Sequence, residues 1–165
     1  MKTVYIVRHA KSSWEKPNIP DHFRKLTPEG EDRATKVAKH LRIKFVNPEL
    51  IITSSATRAQ ETAKIMAEEL HYPLDQININ STFYRAEKED LLNMIQNLPN
   101  EIESVMIVGH NPAFTILVNS FLEPENQIGN LPTSAVAAFR FKADHWDQLE
   151  DAKRHLEFLV TPKDL

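Results

Sequence analysis

Two histidines follow apolar stretches of the chain, at positions where strands would end. Residues 4–7 are apolar or aromatic and run into Arg8 and His9, and the apolar residues 105–108 lead through a glycine into His110. In an open α/β sheet, ligands bind in the crevice at the carboxyl ends of the strands. We therefore expect both imidazoles at one site, and the chemistry that suits them is phosphoryl transfer.

His9 is the expected nucleophile, because a neutral imidazole can attack phosphorus and form a covalent intermediate. Arg8 and Arg58 each offer a planar fork of donors that matches phosphate oxygens. A protonated His110 would add a third donor, and the helix that starts near Pro112 would direct backbone N–H groups toward the same anion. This arrangement requires no metal ion and no cofactor.

Each of these residues alone has an ordinary structural interpretation. A histidine at a strand end is more often a hydrogen-bonded structural residue than a nucleophile. An arginine such as Arg58, in the first turns of an amphipathic helix, usually lies on a solvated face. The functional interpretation depends on the joint placement of the four side chains. The remaining histidines have no close metal-ligand spacing, which argues against a metal site.

The periodicity of apolar residues predicts strands that alternate with helices. The predicted strands cover residues 3–8, 50–53, 78–83, 103–108, 134–141 and 155–160. One predicted helix begins at Thr27 and Pro28, and a second begins near Arg58. Two more predicted helices cover residues 88–98 and 113–122. Residues 12–21 are predicted to form a loop. This alternation predicts an α/β fold, a three-layer αβα sandwich with a mostly parallel central sheet. We expect a single domain over residues 1–165.

Composition excludes several classes of protein. The chain has 165 residues, no cysteine and a net charge of −3, with 20 Lys and Arg against 23 Asp and Glu. Disulfides and thiol nucleophiles are therefore absent, and no global positive field recruits nucleic acid or an anionic membrane. No segment approaches the roughly 20 apolar residues of a membrane span, and the apolar stretch at the N-terminus is too short for a secretory signal. We expect a cytoplasmic protein without a membrane partner.

Four stretches of the chain are similar to motifs of the histidine phosphatase superfamily, in the same order and with similar spacing. They are Arg8-His9-Ala10-Lys11-Ser12, the run Asp21…Arg24…Leu26…Gly30, Ser54…Arg58-Ala59…Glu61-Thr62-Ala63, and Val108-Gly109-His110-Asn111-Pro112. The short chain and the Arg-His-Ala form of the first motif resemble the SixA-type phosphohistidine phosphatase branch. The resemblance extends from residue 3 to about residue 141 and implies a phosphoglycerate mutase-like fold.

The resemblance implies a phosphate pocket formed by Arg8, His9, Arg58 and His110, with His9 transiently phosphorylated. It also implies that Ser12, or the backbone of residues 133–135, approaches the substrate.

The general acid departs from the pattern of the family. Many members carry a glutamate after the third strand that protonates an oxygen leaving group, and here Glu87 is the candidate in that region. Glu87 also fits a solvated, charged helix start. Asp21 and His22 are the other possible proton donors. A phosphohistidine substrate would suffer least from a weak acid, because imidazole leaves more readily than an alkoxide.

These observations predict a phosphatase that acts on phosphohistidine in a partner protein. One alternative is a phosphatase of small phosphate esters, and another is a noncatalytic module that binds a phosphorylated partner. Mutase chemistry fits less well, because short loops imply an open pocket and hydrolysis.

Overall fold

The protein is built around one mixed sheet of six strands, in the computed structural model that describes residues 1–14 and 18–165. The strands are β1 (Lys2–Arg8), β2 (Leu50–Ser54), β3 (Asn78–Asn80), β4 (Ser104–Gly109), β5 (Val136–Phe141) and β6 (Arg154–Val160). Their order across the sheet is β3-β2-β4-β1-β5-β6. Pairing is parallel from β3 to β1 and antiparallel on both sides of β5, so β5 alone runs in the opposite direction. The prediction of a mostly parallel sheet is confirmed.

Helices cover both faces of the sheet. The helices are α1 (Pro28–Ile43), α2 (Thr57–Glu69), α3 (Lys88–Gln96) and α4 (Ala113–Phe121). Apolar residues of α1 and α2 pack with Val7 and Val108 on one face, and those of α3 and α4 pack with Ile6 and Ile107 on the other. Alternate residues of one strand thus enter different cores, as the period of two in a strand requires. The predicted three-layer sandwich is confirmed.

The start of α1 follows the capping chemistry expected from its sequence. The Thr27 hydroxyl accepts the Gly30 backbone N–H at 2.9 Å, and Pro28 occupies the first helical position. Gly30 also faces the preceding segment, because an added Cβ would lie 2.2 Å from the Lys11 carbonyl oxygen. The helix therefore packs directly against the loop that follows β1.

The predicted strand over residues 78–83 is only half correct. The strand stops at Asn80, and a 3₁₀ turn follows over Ser81–Arg85. The Asn80 side chain accepts the Thr82 backbone N–H at 3.0 Å, and this local bond competes with continuation of the strand. The predicted strand over residues 134–141 also begins later, at Val136.

The predicted loop over residues 12–21 lies partly outside the described residues, which omit 15–17. Ser12 forms an isolated antiparallel bridge with Leu26, and a 3₁₀ turn covers Asp21–Phe23. This segment brings Asp21 to the carboxyl end of the sheet, beside α2. No helix within the described part of the chain has the length and hydropathy to cross a bilayer.

Candidate active site

The two histidines predicted from the sequence lie side by side because β1 and β4 are neighbours. Parallel pairing places Arg8 opposite Gly109, and the His9 backbone N–H donates to the Gly109 carbonyl at 3.1 Å. The imidazole centroids of His9 and His110 are 5.1 Å apart. Both residues are buried, with 8% and 9% of their surface exposed. The sheet thus brings both rings into one pocket at its carboxyl end.

The tautomer of His9 follows from a single hydrogen bond. Its Nδ1 lies 2.8 Å from the Ala10 carbonyl oxygen, which can only accept, so Nδ1 carries the proton. Nε2 therefore keeps its lone pair. Burial lowers the pKa of His9 to about 4, and the positive charges of three arginines, Arg58, Arg8 and Arg24, lower it further. The hydrogen bond to the Ala10 carbonyl acts in the opposite direction. At neutral pH the ring is uncharged, with its nucleophilic nitrogen available.

His110 is held by Ser54 at the end of β2. His110 Nε2 lies 2.7 Å from Ser54 Oγ, and the same oxygen accepts the Ala56 backbone N–H at 3.2 Å. The Ser54 hydroxyl hydrogen is then free to donate to Nε2, an arrangement that favours the proton on Nδ1. Burial, assisted by His9, Arg58 and His22, lowers the pKa of His110 to about 3. The expectation of a protonated His110 is wrong for the free protein, because the cost of desolvation exceeds the attraction of Asp21.

Arg8 and Arg58 reach the same pocket from different elements. Arg8 extends from the end of β1, and its Nη1 donates to the Leu131 carbonyl at 3.0 Å. Arg58 lies in the first turn of α2 with 6% of its surface exposed. Burial and the charge of Arg58 both lower the pKa of Arg8, which indicates that the two guanidinium groups are close. The sequence placed Arg58 on a helix start, and the structure turns it inward.

Asp21 binds both Arg58 and a further arginine that sequence analysis did not select for the site. The Asp21 carboxylate accepts Arg24 Nε at 2.9 Å, Arg58 Nη2 at 3.1 Å and the Tyr84 hydroxyl at 2.5 Å. Burial alone would raise the pKa of Asp21, but the hydrogen bonds from Tyr84 and Arg24 and the charge of Arg58 hold it well below its usual range. Asp21 is therefore ionised at neutral pH.

Three donors at this site have no hydrogen-bond partner among the described residues. They are Arg8 Nε, Arg58 Nε and, in the tautomer favoured above, His110 Nδ1, and all three atoms are buried. Unpaired buried donors are costly and rare in native proteins. An oxyanion between the two arginines and the two histidines would satisfy all three. The geometry therefore suits a phosphoryl group next to His9 Nε2.

Ser12, predicted to contact the substrate, supports Arg24. Its hydroxyl oxygen accepts Arg24 Nη1 at 2.6 Å, and the Arg24 guanidinium carbon lies 3.4 Å from the centre of the Trp14 ring. Arg24 is buried, and its charge lowers the pKa of His9, so a third arginine lies close to the pocket. The one signal in the sequence was the spacing of Asp21 and Arg24, three residues apart.

Glu87 has the geometry of a helix cap. Its side chain accepts the backbone N–H of Asp90 and its own N–H donates to the Asp90 carboxylate, which forms a capping box at the start of α3. Glu87 is exposed. This geometry matches the structural alternative that its sequence context suggested.

Residues 133–135 lie against the end of β1. Ser134 has a φ of 63°, and its backbone N–H donates to the carbonyls of Arg8 and His9 at 3.1 and 3.2 Å. The loop therefore fixes the backbone of the two residues that begin the pocket. Within residues 1–14 and 18–165, no cluster of three or more His, Asp or Glu side chains is arranged to hold a metal ion.

Comparison with known proteins gives a family and a fold. A model described as the histidine phosphatase superfamily (branch 1) matches residues 4–78. A crystal structure assigned as the phosphohistidine phosphatase SixA of Agrobacterium tumefaciens superposes with a TM-score of 0.82 and 26% identity, over 98% of both chains. The first half of the chain is thus similar to the histidine phosphatase superfamily, and the whole chain has the fold of the SixA structure. The residues that match the branch 1 model contain Arg8, His9 and Arg58 of this chain, whereas His110 lies beyond them.

Two further proteins extend the comparison. A structure of the protein histidine phosphatase SixA in complex with tungstate has the same fold, with a TM-score of 0.82 and 22% identity over 98% of both chains. A chloroplastic protein of Arabidopsis thaliana, itself uncharacterized, is 33% identical over 118 residues, which is 67% of this chain. The present chain spans about half of that relative, 54% of its length.

Proposed function

We propose that this protein is a phosphatase that transfers a phosphoryl group to His9 and then to water, with protein phosphohistidine as the preferred substrate. The observation that carries the proposal is the unprotonated Nε2 of His9 beside the unpaired buried donors of Arg8, Arg58 and His110. The match of residues 4–78 to the histidine phosphatase superfamily supports the same chemistry.

The proposed reaction begins with binding of the phosphoryl dianion between Arg8 and Arg58. Each guanidinium keeps its Nε donor for the ligand, because its other contacts use terminal nitrogens. His9 Nε2 attacks phosphorus as the bond to the leaving group breaks, and the donors follow the negative charge on the equatorial oxygens. Water then attacks the phosphohistidine, and the lone pair returns to Nε2. His110 donates from Nδ1 in both steps.

The preference for phosphohistidine is supported by the leaving group and by the named relatives. Imidazole leaves more readily than an alkoxide, and Glu87 caps a helix in this chain. Two similar structures are named phosphohistidine or protein histidine phosphatases. We further propose that no metal is needed, because Arg8, Arg58 and the nearby Arg24 supply the positive charge that phosphoryl transfer requires.

The deciding experiment traps the intermediate. The protein is incubated with p-nitrophenyl phosphate or a phosphohistidine peptide and quenched in base, where phosphohistidine survives, and the bound phosphate is then shown to be acid-labile. We expect turnover and a phosphoenzyme that the His9→Ala variant lacks. The His155→Ala variant, at an exposed histidine on β6, is the matched control and should behave as wild type. Phosphate binding without turnover would instead support a noncatalytic module. A higher kcat/KM for small esters than for the peptide would support the small-ester alternative.

A further inference from the structure

We propose that His22 is the general acid that protonates the leaving group, an assignment that rests on the proposed phosphatase function. Of Asp21, His22 and Glu87, only His22 lies at the rim of the pocket without being held by arginines or by a helix cap. The assignment extends the expected substrates to phosphate esters with basic leaving groups.

His22 lies at the rim of the pocket in a defined orientation. Its Nε2 is 2.9 Å from the Ser55 hydroxyl oxygen, at the turn between β2 and α2. Its ring packs edge-on against Tyr84 with centroids 4.7 Å apart, and Tyr84 packs edge-on against His110 at 5.6 Å. These contacts connect His22 to the ring that bounds the phosphoryl site. The charge of His22 also acts on His110, which agrees with this proximity.

The two carboxylates are already engaged in other contacts. Asp21 carries no proton at neutral pH, because Arg24, Arg58 and Tyr84 all donate to its oxygens. Glu87 caps the N-terminus of α3. His22 is half-buried, so its side chain is partly accessible to solvent, with which a proton donor must exchange protons. An imidazole can donate a proton in one step and accept one in the next, as this role requires.

His22 gives up a proton in the first step and recovers one in the second. In the first step, His9 Nε2 forms a bond to phosphorus, the bond from phosphorus to the leaving oxygen breaks, and that oxygen takes a proton from the His22 imidazolium. In the second step, neutral His22 accepts a proton from water as the water oxygen attacks phosphorus. The N–P bond breaks and its electron pair returns to His9, which regenerates both side chains.

A pair of substrates of nearly equal shape tests this role. Phenyl phosphate releases a basic phenoxide that needs a proton, whereas p-nitrophenyl phosphate releases a weakly basic anion that does not. In the His22→Gln variant, the amide can still bond to Ser55 but cannot transfer a proton. We expect kcat/KM for phenyl phosphate to fall by about 10²- to 10⁴-fold, the usual contribution of a general acid. The value for p-nitrophenyl phosphate should change little.

The control is His155→Gln, at an exposed histidine of β6 that pairs with Glu157; it should leave both substrates unaffected. Equal losses for both substrates in His22→Gln would overturn the assignment and give His22 a purely structural role. So would an unchanged rate for phenyl phosphate, or a wild-type protein that hydrolyses only the nitrophenyl ester. The phosphatase function itself fails on a different result, the absence of a phosphoenzyme on His9 with any substrate.

Discussion

Asp21 holds Arg58 through two acceptors: its backbone carbonyl accepts Nη1 at 2.8 Å and its carboxylate accepts Nη2 at 3.1 Å. Both bonds use the terminal nitrogens of the guanidinium. The Nε edge of Arg58 is therefore presented to the pocket, where Nε has no partner among the described residues. The turn that contains Asp21 thus sets the direction in which a phosphate-binding arginine points.

Replacing Asp21 with Asn should loosen the orientation of the Arg58 guanidinium without removing any of the four residues of the phosphate pocket. The amide oxygen can still accept one bond, but the charge that attracts Arg58 and Arg24 is lost. We expect kcat/KM for p-nitrophenyl phosphate to fall about tenfold, which is near the low end of the effect of losing a hydrogen bond to a charged group. The effect should be small because the Asp21 side chain is 42% exposed, and solvent screens its charge. Steady-state kinetics measures the effect. Glu157→Gln, which affects an exposed pair with Arg140 on the far sheet edge, is the control.

Arg58→Lys should reduce catalytic activity strongly, although the substitution keeps the positive charge. A lysine ammonium cannot reach both Asp21 acceptors and also present a planar edge to the phosphoryl group. We expect a loss of roughly 10²- to 10³-fold in kcat, the usual effect of removing one electrostatic donor to a transition state. Arg140→Lys should be neutral, since Arg140 is half-exposed and pairs only with Glu157 among the described charges. Full activity of the Arg58 variant would show that the pocket is assembled differently.

The two pocket histidines should titrate at unusually low pH. Burial places the pKa of His9 at about 4 and that of His110 at about 3. Because both pKa values are lowered on folding, the unfolded chain takes up protons first below the ordinary histidine value of about 6.5. Stability is therefore highest above that pH and falls as the pH drops toward 4 for His9 and toward 3 for His110. NMR titration of the ring signals measures the two values.

Inorganic phosphate should raise the pKa of both rings, because a bound dianion favours the imidazolium form. The ring signals of His155 should not respond to phosphate, since that residue lies on the edge strand β6. A pocket histidine that titrates near 6.5 in the free protein would contradict the buried geometry.

Two glycines offer a matched test of packing beside the site. An added Cβ at Gly30 would meet the Lys11 carbonyl oxygen at 2.2 Å, whereas one at Gly129 would meet nothing within 4 Å. Gly30→Ala should therefore destabilise the protein by about 1 to 3 kcal/mol, the typical cost of overpacking. Gly129→Ala should have little effect on the free energy of unfolding. Chemical denaturation of both variants measures the difference, and equal stabilities would show that α1 does not press on the loop after β1.

The sequence predicted the elements that position the site because their signals are local. Apolar strands that end in Arg8 and before His110 show a clear pattern, and Thr27 with Pro28 is a clear helix start. The end of β3 was missed, because it depends on one local hydrogen bond, from the Thr82 backbone N–H to the Asn80 side-chain oxygen. Such a bond competes closely with strand pairing and leaves no periodic signal.

The contacts that orient the pocket could not be predicted from local sequence. Asp21 and Arg58 meet only after the chain has folded, as do Tyr84 and His22. The low pKa of His110 is likewise a product of burial, which the motif alone does not reveal. Residue type and spacing identified candidates for catalysis, whereas three-dimensional contacts decide which are free to react.

The parallel register of β1 and β4 has a consequence for how the core can change. Arg8 lies opposite Gly109 only while Val4 pairs with Val105 and Ile6 with Ile107. A slip of one residue would turn every side chain of the strand to the opposite face, and one imidazole would leave the pocket. Substitutions among these aliphatic residues are therefore constrained by phosphate chemistry as well as by stability, although none of them can touch a ligand.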